Sequence, residues 1–396
     1  MSDEKLQKKK AQKMTRRAKK LPAPPKLTID GTFEEQEMSS KNKRQERKGS
    51  KAAKTLDSMM KAPTNRANLN KEKEKRIEVP KEIVAKIHRF LDWCMKMKMD
   101  GVAEEFNKNK SYLPLGEDYK WEAFAKNQNK CRYHDIMCID RTRVKLQQVE
   151  PKDDFIHANF LRFGDEIYIA TQYPLEDTIS DFWRMVFFEE PRIIINLVPK
   201  DQQYPSFFKT GEGEYHTYKD MYVQTRRVEE SKSYMISYLL EVLPDGHSNS
   251  IFVRLLHILN WPDNRTTKGL HTILKALHIL AKKDATLCKG PPVVMCDSGL
   301  NKCGTLIFTN LMINNLFSNS SNEVSPISIY MNMRRMRASI IQTDLYYLQA
   351  LIIVLDYLQW KNEKKLILDL TPEILKMIRE WKMEFYKKYE KEKANG

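Results

Sequence analysis

The residues with the clearest chemical potential lie between 292 and 305: Pro292-Val293-Val294-Met295-Cys296-Asp297-Ser298-Gly299-Leu300-Asn301-Lys302-Cys303-Gly304-Thr305. An apolar run of strand character ends on a cysteine, passes a short loop with one glycine and opens a helical stretch. Such a loop can turn consecutive backbone N–H groups toward one point, at the positive end of a helix, and so cradle an anion. A cysteine set over that ring gains a stabilised thiolate and becomes a nucleophile. Read alone, the segment is weak evidence for a nucleophile, and a buried structural cysteine is the default reading.

The elements that must hold this loop alternate. Residues 167–171, 192–198, 235–242, 251–258 and 292–296 read as strands, and 180–188, 269–282, 304–317 and 342–360 as helices. Upstream, Ile83, Ile87, Phe90, Leu91 and Cys94 recur at helical spacing over 82–98, and a second helix is expected at 102–107. That is an α/β layout around one core of about 280 residues. A last helix is signalled by Thr371 as N-cap with Pro372 in its first turn. Its stripe of Ile374, Ile378, Trp381 and Phe385 is expected either to pack on the domain or fray, or to receive a partner.

The chain has 396 residues and a formal charge of +16, of which residues 1–80 carry +12. Those 80 residues contain one aromatic, Phe33, too little apolar surface to offset the entropy of ordering. We expect three regions: a disordered basic tail at 1–80, a catalytic-type domain at 81–361 and a helical extension at 362–396. The tail suits an acidic partner or a membrane surface; without aromatic platforms, sequence-specific nucleic-acid binding is not expected of it. Six cysteines without close pairing argue against a disulfide framework or a zinc site. No apolar run approaches the ~18 residues of a membrane span, and the first residues have no signal-peptide core. A cytoplasmic location fits, with the basic clusters Lys8-Lys9-Lys10 and Arg16-Arg17 as a candidate nuclear address.

Seven further segments, in order, resemble the phosphotyrosine-specific, non-receptor branch of the protein tyrosine phosphatase family over about residues 85–360. They are Cys131-Arg132-Tyr133-His134-Asp135-Ile136 with Asp140-Arg141-Thr142-Arg143-Val144; Asp154-Phe155-Ile156-His157-Ala158-Asn159; Tyr168-Ile169-Ala170-Thr171-Gln172-Tyr173-Pro174-Leu175; Asp181-Phe182-Trp183-Arg184-Met185; Trp261-Pro262-Asp263; Met333-Arg334 with Arg337; and Gln342-Thr343. The degenerate motifs and basic tail look like the nematode-type members. The resemblance implies a highly twisted mixed central sheet flanked by helices, and a chemistry without metal or other cofactor. It implies Cys296 as the nucleophile forming a cysteinyl-phosphate and Asp263 as general acid on a mobile loop. Gln342 would position the second-step water, Tyr133 set the pocket depth and Asp135 clamp the peptide backbone. The phosphate loop would be Cys296, Asp297, Ser298, Gly299, Leu300, Asn301 and Lys302.

Against that pattern the loop departs in several places. Lys302 stands where the family has an arginine; it keeps the charge but not the planar fork, a loss of roughly 10- to 100-fold or more in rate at about 1.5–3 kcal/mol per charge-assisted bond. Met295 replaces a histidine, Asp297 a small residue, Asn301 a glycine and Cys303 a hydroxyl residue. Asp297 is expected to raise the thiol pKa and repel substrate, and Asn301 to distort the cradle. The hinge after Asp263 reads Asn264-Arg265-Thr266-Thr267, the bracing loop between Val198 and Phe208 is short, Tyr346 replaces a glutamine and Tyr173 a glycine. Three functions follow as expectations: a phosphotyrosine-recognising protein with lost or strongly reduced catalysis, an active tyrosine phosphatase, or an interaction scaffold with a vestigial pocket. A phosphotyrosine protein or kinase is the expected partner.

Overall fold

The computed structural model describes residues 26–27, 33–34, 77–112, 119–199, 204–231, 235–259, 261, 267–281, 289–320, 323–364 and 366–395. The expected tail disorder, Asp263 with its hinge at 264–266, and residues 200–203 of the bracing loop lie outside them. The chain divides into two units, Met1–Glu72 and Lys73–Gly396. In the first, Lys26–Leu27 pairs antiparallel with Phe33–Glu34.

The second unit is built on a nine-stranded mixed sheet. Its strands are β1 (Arg143–Lys145), β2 (Phe155–Phe163), β3 (Glu166–Gln172), β4 (Ile194–Asn196), β5 (Tyr215–Tyr218), β6 (Met221–Ser231), β7 (Met235–Pro244), β8 (Ile251–Ile258) and β9 (Val293–Cys296). They lie in the order β1-β2-β3-β9-β4-β8-β7-β6-β5. The last strand in sequence sits near the middle, parallel to β3 and β4, with Cys296 beside Gln172 and Met295 beside Asn196. All four of its residues are buried, as a strand covered on both faces requires. The outer pairs are antiparallel; β2–β3 and β5–β6 close through two-residue turns, the latter at Lys219-Asp220, where Lys219 has φ 53°.

The helices are α1 (Lys81–Asn109), α2 (Glu122–Lys126), α3 (Ile179–Glu189), α4 (Thr267–Ala281), α5 (Asn301–Leu316), α6 (Pro326–Met336), α7 (Asp344–Lys364) and α8 (Pro372–Asn395). α1 is broken at Lys98 (φ 54°, ψ 174°), at the junction expected between two upstream helices. α6 opens with Ser325, whose hydroxyl accepts the Ser328 N–H at 3.3 Å, and with Pro326 in its first turn. α8 opens at Pro372, and the Ile374 N–H donates to Thr371 Oγ1 at 3.4 Å. Its stripe of Ile374, Ile378, Trp381 and Phe385 is buried, α8 packs on α1 and α7, and Lys388 pairs with Asp344 at 2.7 Å. Among the described residues no helix is long and apolar enough to cross a membrane.

α5 starts three residues before the glycine that was expected to open it. Asn301, Lys302 and Cys303 therefore form its first turn, and Gly304 lies inside it. A Cβ on Gly304 would stand 2.5 Å from Ile341 Cγ1. The glycine is there for close helix packing.

Candidate functional site

The site begins where β9 ends. From Cys296 the chain turns through Ser298 and Gly299 into α5, and Gly299 has φ +72°. A Cβ there would lie 2.5 Å from both Arg337 Nη2 and the Thr171 carbonyl carbon, so the position excludes any side chain on conformation and space together.

Beneath the loop lies Arg337, fully buried. Its Nε donates to Gly299 O at 2.8 Å and its Nη2 to Ser298 O at 3.0 Å. Its Nη1 donates to Asn159 Oδ1 at 2.8 Å, and Nη2 also reaches His157 Nδ1 at 3.3 Å. The His157 tautomer follows: Nε2–H donates to Ile136 O at 2.8 Å, which leaves Nδ1 free to accept. Burial, with the Arg337 charge, pushes the His157 pKa down to about 3, so the ring is neutral at ordinary pH. Holding the Ser298 and Gly299 carbonyls to the rear keeps the loop's N–H groups toward the nucleophile. The Gly299 and Cys303 N–H groups both hydrogen-bond the Cys296 sulfur. No side chain caps α5, so its first-turn N–H groups remain available to the loop.

Cys296 is fully buried at the base. Burial would push its thiol up, and the Asp297 carboxylate adds to that. The hydrogen bonds from the Cys303 thiol and from the Cys303 and Gly299 N–H groups outweigh both and hold the pKa below its ordinary value. Cys303, raised by burial and by its bond to Cys296, keeps its proton, and its one S–H is shared between Cys296 and Val294 O, to which it donates at 3.3 Å. Cys303 therefore supplies the thiolate support whose loss its type had suggested. The effect expected of Asp297 on the thiol is present in sign but is overcome.

Lys302 is half-buried in the first turn of α5 and, among the described residues, makes no hydrogen bond or ion pair; the Asp297 carboxylate makes none either. The two charges do not neutralise each other by a salt bridge.

Asn301 makes its side-chain bonds to Gln342. Its side chain turns to the loop before α7, where Oδ1 accepts the Gln342 N–H at 2.9 Å and Nδ2 donates to Gln342 Oε1 at 3.0 Å.

The opposite wall is pinned to β2 and β3. Gln172 accepts the Arg132 N–H on Oε1 at 2.9 Å and donates from Nε2 to Lys130 O at 2.8 Å. Arg132 donates to the carbonyls of Tyr173 and Pro174. These bonds anchor the segment that carries Tyr133 and Asp135, both exposed. Burial raises the Tyr133 pKa, and the Asp297, Tyr204 and Cys296 charges act in the same direction, so the four groups lie within electrostatic reach of one another. Tyr204 hydrogen-bonds Tyr133 through its hydroxyl, stacks on Tyr173 at 5.0 Å and lies under the Arg132 guanidinium at 4.5 Å. Tyr346 lies within the same reach: burial, then Asp297 and Cys296, push its pKa up to about 12. Trp261, the described member of the Trp-Pro-Asp segment, donates from Nε1 to Gln349 Oε1 at 3.1 Å and ties that segment to α7.

The structure thus assembles Cys296, Asp297, Ser298, Gly299, Leu300, Asn301, Lys302, Tyr133 and Gln342 about one loop. Asp135 is exposed and makes no contact with the loop among the described residues, and Asp263 lies outside them. The expected roles had no place for Tyr204, although its neighbour Tyr173 was already notable, and none for the bracing function of Arg337. The signal for Arg337 was weak: it directly follows a helix that already carries Arg334 and Arg335, and only Ala338, Ile340 and Ile341 after it hint at burial.

Comparison with known families agrees with this geometry. The family model for protein-tyrosine phosphatase matches residues 127–356, more than half of the chain, and the chain belongs to that family. It is 27% identical over 281 residues to human receptor-type tyrosine-protein phosphatase H, covering 68% of this chain and 25% of that protein. It is 28% identical over 269 residues to rat tyrosine-protein phosphatase non-receptor type 20, covering 65% and 62%. To human tyrosine-protein phosphatase non-receptor type 7 it is 27% identical over 271 residues, covering 66% and 72%. The matched region is thus a quarter of the length of the receptor-type relative and about three-fifths of the type 20 relative.

Proposed function

We propose that the chain recognises phosphotyrosine proteins and turns them over very slowly or not at all, acting as a pseudophosphatase in signalling. The observation that carries this reading is Lys302, a point charge without a hydrogen-bond partner at the place of the family's bidentate arginine. The charge that develops on the equatorial oxygens of a transferring phosphoryl group is best met by a planar fork held in advance, and a single ammonium on a flexible stem meets less of it. Asp297 adds repulsion beside the same phosphate. The recognition half is supported by the N–H groups that meet the Cys296 sulfur and by Tyr133, which lies within reach of the Asp297 and Cys296 charges. The family names of the relatives point to the same ligand class.

The partner of this reading is a phosphotyrosine protein or a kinase, in the cytoplasm or the nucleus. The basic tail would serve location or contact with an acidic partner or membrane surface. A slow, active phosphatase is the second reading, favoured by the stabilised Cys296 thiolate.

The recognition claim is tested by calorimetric titration of the Cys296→Ser chain with one tyrosine peptide in its phosphorylated and plain forms. The phosphorylated form should bind, and Tyr133→Ala or Asp135→Ala should weaken it by about tenfold, or ~1.4 kcal/mol. Equal affinity for the two forms of the peptide would remove the reading.

A further inference from the structure

The clamp between Asn301 and Gln342 is the strongest unassigned feature of the molecule. It joins the first turn of α5 to the loop before α7 by two hydrogen bonds. The carboxamide orientations are fixed by their partners. A backbone N–H can only donate, so the Asn301 atom facing it is Oδ1; Nδ2 then faces Gln342, whose side chain must present its oxygen. The backbone under the clamp is also constrained. Ile341 has φ 54°, a conformation a β-branched residue adopts only when its surroundings hold it there. Tyr330 Oη donates to Ile341 O at 3.2 Å from below. Ile341 also packs on Gly304, whose missing Cβ leaves the room.

We propose that Asn301 is a positioning residue that ties Gln342 down and so makes the water-dependent half of the reaction the blocked half. This rests on the proposed reading of the site, in which Cys296 can take a phosphoryl group and Gln342 would orient the water that removes it. In the first half the Cys296 sulfur bonds to phosphorus, the bond from phosphorus to the tyrosyl oxygen breaks, and that oxygen leaves with a proton. In the second half the water oxygen bonds to phosphorus, the sulfur–phosphorus bond breaks, the thiolate returns and the proton of the water passes to a base. Orienting that water calls on the Gln342 carbonyl oxygen. Here Asn301 Nδ2–H occupies that oxygen, and Gln342 cannot swing without giving up a bond. Lys302 slows the first half; the clamp retards the second, so a phosphoryl group that reaches Cys296 stays there.

The test uses the full chain, a radiolabelled phosphotyrosine peptide and rapid quench, with three variants. Asn301→Gly removes both bonds. Asn301→Asp keeps the acceptor for the Gln342 N–H but cannot donate to Oε1, so it frees the side chain and leaves the backbone anchored. Cys296→Ser controls for label at other sites. Each clamp variant should shorten the lifetime of the Cys296 adduct about tenfold, the equivalent of one hydrogen bond, and by a larger factor than it changes the rate of adduct formation. Amide hydrogen exchange at Gln342 should speed up in Asn301→Gly and stay slow in Asn301→Asp, a pattern that a general loosening of the loop would not produce.

Equal adduct lifetimes in the three Cys296-containing chains, or unchanged exchange in Asn301→Gly, would overturn the clamp. If Lys302 keeps the adduct below detection, lifetimes are read in a Lys302→Arg background, and the exchange arm decides if none forms there either. Multiple turnover by the unmodified chain, abolished by Cys296→Ser, would instead overturn the reading of lost catalysis. The two failures are therefore distinguishable.

Discussion

Replacing Arg337 with alanine should destabilise the fold by about 3–5 kcal/mol, on the order of 10 °C in Tm, and abolish anion binding by the loop. The guanidinium is fully buried and donates to the carbonyls of Ser298 and Gly299, to Asn159 Oδ1 and toward His157 Nδ1. Truncation leaves those acceptors in the interior without their donor, and each orphaned group costs about 1–3 kcal/mol, less than additively. The costly burial of the arginine's own charge, which lowers its pKa, is relieved by the same substitution and offsets part of the loss. Arg337→Met separates the contributions, because it fills the volume but donates nothing. It should remain at least 2 kcal/mol below the parent, a rough figure for two orphaned carbonyls. Thermal denaturation and vanadate titration read both effects. A Met variant as stable as the parent would show that packing, and not the hydrogen bonds, is what Arg337 provides.

The second large effect is a gain. Changing Met295→His, Asp297→Ser, Asn301→Gly, Lys302→Arg and Cys303→Thr together should create phosphotyrosine hydrolysis, with Lys302→Arg contributing roughly 10- to 100-fold on its own. The contributions should be unequal. Cys303 already hydrogen-bonds the Cys296 sulfur, so Cys303→Thr should add little. Asp297→Ser removes a carboxylate whose charge is felt by Cys296, Tyr133, Tyr204 and Tyr346 together, and should rank next to Lys302→Arg. Activity is measured as phosphate release from a peptide, one substitution at a time and combined. If the fivefold variant stays inert, the defect lies elsewhere, in the hinge after Asp263 or in the shortened loop that would brace an arginine.

Much of this arrangement is legible in the chain, for local reasons. A short run of fully buried strand residues ending on a cysteine placed β9 and its nucleophile, and Thr371-Pro372 placed the start of α8. The interrupted apolar spacing near Lys98 matched the break in α1. What escaped depends on distant partners. Asn301 and Gln342 lie 41 residues apart, and neither shows the other in its neighbourhood. A glycine inside a helix reads as the place where the helix should start, so Gly304 hid the first turn of α5; its true reason is Ile341 across the interface. The strand β5 is an edge strand with mostly exposed side chains, and without a buried face it lacks the alternation that marks a strand. Ser325-Pro326 is a readable start signal for α6, a helix absent from those expected.

The charge that dominates the composition plays little part in the pocket. Of the +16, +12 lies in residues 1–80. At the loop, an arginine has become Lys302 and a carboxylate has entered at Asp297. On the proposed reading, anion affinity rests on oriented N–H groups held by a buried arginine, more than on net positive charge.

The central claim, recognition with catalysis lost or nearly so, is met most directly by following phosphate release from a phosphotyrosine peptide over long incubation, with the full chain and its Cys296→Ser variant side by side. Indistinguishable release from the two is the predicted result. Sustained release by the full chain that vanishes in Cys296→Ser would contradict it and establish a working phosphatase.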